Sequence, residues 1–491
     1  YAETKLEAKA KNLNCVQARL VLAIKFAQRK MVKVKARLCA RGDKDDRPLE
    51  SWSTRTTMVT EVGVKAAMSF AVEHQFPLWS SDVPQAYIRG KELEDPPQAP
   101  YLVIPDELGS VSKSLNRYCL RLRRGLYGLK DAGAMWEQEF VGEAAKVGLV
   151  RSATDPGLFV MRRNARGIIV PKAEEVLPSP DAIVERDTMD IGAEPEGDVC
   201  LVLAAHVDDI LFSGDEEAVA QIQALIGVWT ATAELLQDGD FLGRSVRKED
   251  DELGFKYVIS ARDYIGKLTK VCPEHALEKH QERARLTAKG QHFPAKQVKC
   301  PIRGAVGQLL WVGRIRNDVL ATVCEIASRV TKDSFVDLWK DINAVVEYLL
   351  ETADDSSSVR RVGNYHSKGA PQGKPILVTL VDASGSKPHR LGALTLLVGH
   401  GDLGMDEVLE RHHGVLPVQE DVENESPLRR YKYRVTVLCG QTRLARRVTA
   451  SSNGAELLAT AAGLSEQVIA RNLMSELGLV EKAAPIRVLT D

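Results

Sequence analysis

The sequence predicts an α/β (α+β) protein of several domains, and three observations carry that reading. Short alternating or wholly apolar runs suited to strands recur between longer stretches of helical spacing. At 491 residues the chain is long enough for roughly two to four domains, each with its own core. The order of elements also changes after 351–374, where Asp354-Asp-Ser-Ser-Ser358 and Gly369-Ala-Pro-Gln-Gly-Lys-Pro375 mark the best domain boundary.

Residues 31–41 alternate basic and apolar side chains, which predicts a strand with one basic face. Val59, Val62, Ala66, Phe70 and Ala71 recur at helical spacing and are followed by a turn at Gln75-Phe-Pro77. A short apolar segment from Phe76 to Trp79 then runs to Asp82. The stretch 163–198 is rich in Pro, Glu and Asp and reads as a loop insertion or linker. Residues 302–330 and 334–350 have helical periodicity and form a connecting region. Beyond the boundary, 376–383, 391–398 and 431–438 read as strands, 454–471 as a helix and 486–490 as a fourth strand. A polar, acidic stretch at 401–430 separates the second strand from the third.

Composition narrows the function class. Net charge is −1, but residues 1–42 carry eleven Lys or Arg against two Glu, while 171–198 carries nine acids against two bases. A basic arm beside a catalytic unit suits a polyanionic partner, although a solvated surface is the commoner meaning of a charge run. Eight Cys lie without C-x-x-C or His-linked spacing, which argues against a structural zinc site and a disulfide scaffold and favours a reducing compartment. No run of about eighteen apolar residues exists, so no membrane span is expected. The chain starts at Tyr1 rather than Met and stops at Asp491 after an apolar run, which reads as a piece of a longer polypeptide.

One pair of residues points to chemistry. Asp208-Asp209 sits in the apolar stretch Val199 to Phe212 and reads as the tip of a buried hairpin. The other Asp-Asp pairs, 45–46, 250–251 and 354–355, lie in polar surroundings typical of solvated loops. Burial and mutual repulsion both oppose ionisation of adjacent carboxylates, so the pair calls for a compensating cation. A hard divalent ion such as Mg²⁺ takes carboxylate oxygens, which suggests metal-assisted phosphoryl chemistry.

Three motifs then follow in order: Ser81-Asp82-Val-Pro-Gln-Ala-Tyr87, Gly125-Leu-Tyr-Gly-Leu-Lys-Asp-Ala-Gly-Ala-Met-Trp136 and His206-Val-Asp-Asp-Ile210. With Lys35-Ala-Arg-Leu-Cys-Ala-Arg-Gly42 upstream, they resemble the reverse transcriptase of copia-type long-terminal-repeat retrotransposons over roughly 30–275. Gly304 to Trp311 and Arg316-Asn-Asp318 continue the resemblance. It implies a right-hand-like polymerase with fingers and palm, then a helical connection, then a ribonuclease H-like mixed sheet with helices. The domains expected are a basic arm at 1–29, the reverse transcriptase at 30–275 with its acidic insertion at 163–198, the connection at 276–374, and a C-terminally truncated ribonuclease H-like domain at 375–491.

The resemblance also implies roles. Asp82, Asp208 and Asp209 would hold two metals about 3.5–4 Å apart, with the carbonyl of Val83 as a further ligand. Tyr87 would lie under the incoming sugar and exclude a 2′-hydroxyl; its bland reading is a half-buried core tyrosine. Lys35, Arg37 and Arg41 would reach the triphosphate, Lys130 would meet phosphate, and Gly125, Gly128 and Gly133 would let template and nucleotide approach the backbone. Trp136 reads as core. Relatives usually carry Tyr at the position of His206 and Pro at that of Gly133, and Pro84 is unusual in the first aspartate motif.

The C-terminal part resembles a ribonuclease H domain. Val381-Asp-Ala-Ser-Gly385 supplies Asp382, Ser451 to Leu458 supplies Glu456, and Leu489-Thr-Asp491 supplies Asp491, again as ligands for two-metal hydrolysis. Asn453-Gly454 replaces the more usual Thr-Glu, and little ribonuclease H activity is expected of a chain that stops at Asp491. The function implied is RNA- and DNA-directed DNA synthesis with Mg²⁺ or Mn²⁺, acting on RNA template, DNA primer, RNA–DNA hybrid and deoxynucleoside triphosphates. The setting implied is intracellular and cytoplasmic, in virus-like particles or with nuclear access. The rival reading is a degenerate or host-adopted copy that binds nucleic acid without catalysis.

Overall fold

The computed structural model describes residues 2–27, 30–48, 56, 58–93, 99–105, 117–164, 166–169, 197–272, 301–330, 338–362, 374–383, 390–399, 435–444, 452–481 and 487–489. They form a mixed helix and sheet architecture, in line with the α/β expectation. The chain divides into two compact units, one of Tyr1–Val59, Ser81–Ile210 and Asp215–Glu234, the other of Thr60–Ser80, Leu211–Gly214 and Leu235–Asp491.

The first unit holds a five-stranded sheet in the order Ala2–Thr4, Tyr118–Arg121, Tyr101–Val103, Cys15–Ala27, Lys30–Ala40. The expected basic strand is therefore present, but 1–29 is not a free arm. Thr4 and Glu7 cap the helix Lys5–Ala10 reciprocally, and in the strand Cys15–Ala27 the residues from Ala18 onward pair antiparallel with Lys30–Ala40, while Cys15 to Gln17 pair parallel with Tyr101–Val103. Because strand side chains alternate, Val21 opposite Arg37 and Ala23 opposite Lys35 share one face, while Leu20 opposite Leu38 and Leu22 opposite Ala36 share the other. The inner end of the ribbon packs through Val16, Ala18 and Ala40 against Leu102, Ile104, Leu129 and Ala132.

The sheet that carries the candidate site runs in the order Glu234–Leu235, Trp79–Asp82, Asp209–Gly214, Asp198–His206, Leu158–Arg163, Leu149–Arg151. Its inner strands are buried almost throughout, Leu201 to Ala204 and Ile210 to Phe212 being 0% exposed. Their continuous apolar runs are what a sheet covered on both faces requires. In the helix Ala132–Lys146, Phe140 packs on Phe159, and both Trp136 and Phe140 pack on Trp229, with ring centroids 5.1–5.7 Å apart. Asp215 caps the helix Glu216–Gly227 through the amide of Ala218 and also binds Arg163. Most of the acidic insertion, 170–196, lies outside the described residues.

In the second unit the helix Glu61–His74 starts at Thr60, whose hydroxyl accepts from the amide of Gly63, and ends at Gln75 in the left-handed region, φ 58°. Asp238–Phe241, Arg244–Asp251, Gly254–Ser260 and Ser357–Arg360 form an antiparallel sheet. The last of these strands falls inside 351–374, the stretch expected to mark a domain boundary. Its Ser-rich segment pairs with Gly254–Ser260, and Arg360 bonds the hydroxyl of Thr436 through both its amide and its carbonyl. The helices Pro301–Gly313, Asn317–Ser328 and Leu338–Glu351 coincide with the two stretches of helical periodicity. A second sheet runs Val435–Leu444, Arg390–Val398, Ile376–Ala383, Arg487–Leu489, with only the last pair parallel. The helix Ser452–Glu476 lies on it, Ala459 packing with Val381, Leu391 and Ala393, and Gln467 donating to the carbonyl of Leu377. A Cβ on Gly463 would collide with Val381, so a glycine is needed where helix meets sheet.

Candidate active site

The site is built where two strands end. Trp79–Asp82 ends at Asp82, and Asp209–Gly214 begins at Asp209 after the turn Val207-Asp208. The amide of Val83 donates to the carbonyl of Asp208 at 2.9 Å, so the two acidic segments are joined main chain to main chain. Val207 sits at φ +60°, a conformation that a β-branched residue rarely adopts. The indole Nε1 of Trp136 holds it there by donating to the Val207 carbonyl at 2.7 Å. Trp136 is 2% exposed, as the core reading expects, yet it also positions the acidic turn.

Electrostatics follow from this crowding. Burial, and then Asp82, push the Asp208 carboxyl above the usual carboxylate range, against the pull of its backbone hydrogen bond, His206 and Arg37. Burial, and then Asp208 and Asp82, raise Asp209, with His206 opposing. Carboxylates strained in this way are donors that a hard divalent cation would relieve. Among the described residues, however, no three His, Cys, Asp or Glu side chains gather closely enough to hold an ion by themselves. The donor chemistry fits Mg²⁺ bound by one or two carboxylates, with the remaining oxygens coming from substrate phosphates and water.

Beside the acids lies an aromatic corner. After Asp82 the chain turns through Pro84 and Gln85, φ 60°, held by Arg89 Nε donating to the Pro84 carbonyl at 2.7 Å. The short helix Ala86–Arg89 then places Tyr87 edge-on to Tyr127, with centroids 5.0 Å apart and planes at 71°. Tyr87 is half-buried against the Val16–Leu129 cluster, so its core contacts are real as well. The guanidinium of Arg37 sits 5.8 Å from the Tyr127 centroid. Burial and Asp208 raise the hydroxyls of both tyrosines above their ordinary value. Tyr127 belongs to the motif Gly125 to Trp136, which by itself assigns it no role. Its position between two glycines was the available signal.

The glycines have a different use from the one expected. A Cβ on Gly128, φ +92°, would overlap the carbonyl of Ala40, and one on Gly125 would crowd the carbonyl of Tyr87 and Ala132. Gly133 faces the Thr56 side chain. In this chain the space they free is filled by protein, which locks the Gly125–Gly128 turn to the basic strand. Asp45 also departs from expectation. It is buried, and Arg47 bridges it at 2.7 Å and Asp131 at 2.8 Å, with Asn14 donating to Asp45 at 2.8 Å. Asp45 is therefore not solvated, because it shares one guanidinium with Asp131, whereas Asp46 is exposed.

The other expected residues are less gathered. Lys35 is half-buried on the face that carries Arg37, Arg41 pairs with Asp43 at 2.9 Å, and Lys130 is exposed. Val83 is fully buried, and its amide is engaged as described. Asp382 lies on the strand Ile376–Ala383 and Glu456 on the helix Ser452–Glu476, but their side chains and Asp491 lie outside the described residues.

Residues 3–175 match the family model described as reverse transcriptase (RNA-dependent DNA polymerase). Asp82, Tyr87 and Tyr127 fall within that stretch, and Asp208-Asp209 lies beyond it. The chain is 30% identical over 130 residues, 26% of its length, to the retrovirus-related Pol polyprotein from transposon RE1 of Arabidopsis thaliana. It is 30% identical over 159 residues, 32% of its length, to that from transposon RE2 of the same plant. It is 20% identical over 331 residues, 66% of its length, to that from transposon TNT 1-94 of Nicotiana tabacum. The matches cover 8%, 10% and 22% of those relatives, so the chain spans less than a quarter of each.

Proposed function

We propose that this chain, a relative of the Pol polyproteins of copia-type retrotransposons, is an RNA- and DNA-directed DNA polymerase with an attached ribonuclease H-like region. The observation that carries the polymerase reading is the main-chain link between the Asp82 and Asp208 segments, with Asp208 raised by burial and Asp82, and Asp209 by burial, Asp208 and Asp82. DNA synthesis joins a primer 3′-hydroxyl to the α-phosphate of a deoxynucleoside triphosphate and releases pyrophosphate. Bound Mg²⁺ would stabilise the attacking and leaving oxygens. Asp82, Asp208 and Asp209 bring their carboxyl groups to where that ion is needed, and Tyr87 lies against the sugar of the incoming nucleotide. Arg37 and Lys35 face its phosphates.

For the C-terminal part, the support is the sheet with its single parallel pair, covered by the helix that carries Glu456, beside the strand that carries Asp382. Hydrolysis of RNA in a hybrid is the chemistry proposed there. Among the described residues no helix is long and apolar enough to cross a membrane.

The deciding experiment is extension of a labelled DNA primer on an RNA template with Mg²⁺, run beside Asp208→Asn. Extension by the wild type and not by the variant is expected. Absence of extension alongside tight hybrid binding would favour the non-catalytic copy instead.

A further inference from the structure

Tyr127 is the point where four parts of the candidate site meet. Its carbonyl accepts from the amide of Ala40 at 2.7 Å, at the end of the basic strand. The next residue, Gly128, is left-handed and pressed against the same Ala40. The preceding Leu126 packs into the Val16–Leu129 cluster. The backbone of Tyr127 is therefore fixed on both sides, and its ring has little freedom. That ring meets the edge of Tyr87 at 5.0 Å and lies 5.8 Å from the Arg37 guanidinium.

We infer that Tyr127 is a positioning residue with two separable tasks at the nucleotide site, an inference that rests on the polymerase reading. Its ring buttresses Tyr87, so that the Tyr87 ring stands rigidly against the sugar of the incoming nucleotide. Its hydroxyl and ring face hold Arg37 toward the triphosphate. A steric gate discriminates only as well as it is held, because a ring free to swing makes room for the 2′-hydroxyl it should exclude. Tyr87 stands in a four-residue helix, Ala86–Arg89, too short to hold it rigid alone. An exposed arginine likewise has many rotamers, and one that stacks on an aromatic face has fewer to lose on meeting phosphate. The Tyr127 hydroxyl also meets the Arg37 side chain.

The two tasks are separated by two substitutions. Tyr127→Phe keeps the ring and removes the hydroxyl; Tyr127→Leu keeps most of the bulk and removes the aromatic edge. Single-nucleotide extension on one primer–template would be measured with dNTP and the matching rNTP, normalised to active sites by burst amplitude. Tyr127→Phe should raise KM for dNTP about three- to tenfold at unchanged kcat and leave the dNTP-to-rNTP ratio within about twofold. Tyr127→Leu should raise KM similarly and also lower that ratio about tenfold. A purely structural role would lower the burst amplitude and leave both KM and the ratio unchanged, which overturns the inference. Failure of the wild type to extend at all would overturn the polymerase reading and this inference with it. A wild type that extends beside variants with unaltered KM and ratio would overturn the inference alone.

Discussion

The main-chain amide of Val83 is hydrogen-bonded to the carbonyl of Asp208 at 2.9 Å, so the residue after one candidate carboxylate is tied to the other. Asp82 and Asp208 repel, and burial adds to the penalty. Side-chain contacts could relax that strain by rotating, but a backbone bond at a strand end resists separation. The acids are thus kept close by the fold, before any cation arrives to make the closeness favourable.

Asp208→Asn tests this tension by stability as well as by activity. The folded-state pKa of Asp208 is raised, so the native state binds its proton more tightly than the unfolded chain does. Ionisation therefore lowers stability as pH rises from the unfolded carboxylate value to the higher folded one. Denaturant titration without metal should find Asp208→Asn more stable than wild type at neutral pH. The advantage should disappear below the ordinary carboxylate range, where Asp208 is protonated in both states. Added Mg²⁺ should raise the melting temperature of the wild type more than that of the variant. Polymerisation should fall by several orders of magnitude. A variant less stable than wild type at neutral pH would contradict the electrostatic account.

Val207 offers a backbone test. A valine at φ +60° carries a steric penalty of about 1–2 kcal/mol that glycine escapes. In an ordinary strand Val→Gly destabilises, but here the relief should offset much of that loss and leave stability within about 1 kcal/mol of wild type. Trp136→Phe should instead cost about 1–3 kcal/mol, since it removes the indole donor to the Val207 carbonyl. Urea unfolding of both variants is the check. A Val207→Gly loss as large as that of Trp136→Phe would mean the turn is not strained.

Arg47 serves two buried carboxylates. Burial pushes Asp45 up, but hydrogen bonds from Arg47 and Asn14 outweigh it and hold its pKa below the usual value. Arg47→Met strands Asp45 and Asp131 and should cost about 3–5 kcal/mol. Lysine should not rescue, because one ammonium cannot replace a guanidinium that spans two carboxylates. Asp45 has a lowered folded pKa, so its contribution is present above the ordinary carboxylate value and lost as pH falls through the folded one. Wild type should accordingly lose more stability in acid than Arg47→Met does. Parallel acid profiles would contradict the assignment.

Tyr87→Ala should admit ribonucleotides far better while keeping much of the deoxynucleotide activity. Its ring is half-buried, so some stability loss is expected too. Competing dNTP and rNTP on one template gives the ratio directly, and an unchanged ratio would leave Tyr87 as a packing residue only.

Local pattern was enough for features whose causes are local. The apolar stretch around Asp208-Asp209, the periodicity of the helix Glu61–His74, and the alternating strand ending at Ala40 all announce themselves within a few residues. What was not legible depends on partners distant in sequence. Asp45 looks solvated until Arg47 and Asp131 are seen around it, 86 positions separating the two acids. Ser357–Arg360 has the composition of a linker, and only its pairing with Gly254–Ser260 makes it a strand. Cys15–Ala27 was absorbed into a basic arm because its neighbours are charged. Tyr127 and Trp136 were visible as motif letters, but their contacts to Tyr87 and Val207 exist only in three dimensions.

The basic ribbon gives the last prediction, and the structure divides its members. Between residues 12 and 42 there is no acidic residue, so the ribbon's positive face has no local compensation from its own strands. Lys35 and Arg37 are two residues apart on one strand and therefore point the same way. Arg41 differs, since Asp43 already pairs with it at 2.9 Å. If the face binds a nucleic-acid strand, each phosphate contact releases condensed counterions and adds about 0.7–0.9 to the slope of log affinity against log salt. Lys35→Gln with Arg37→Gln should therefore flatten that slope by roughly 1.4–1.8 for an RNA–DNA hybrid. Arg41→Gln should change it little, because a guanidinium already paired with Asp43 adds no phosphate contact of its own. Fluorescence anisotropy across a salt series measures all three. Equal slopes in wild type and the double variant would mean that Lys35 and Arg37 make no contact with the phosphates of the hybrid itself, and a large effect of Arg41→Gln would show that nucleic acid displaces Asp43.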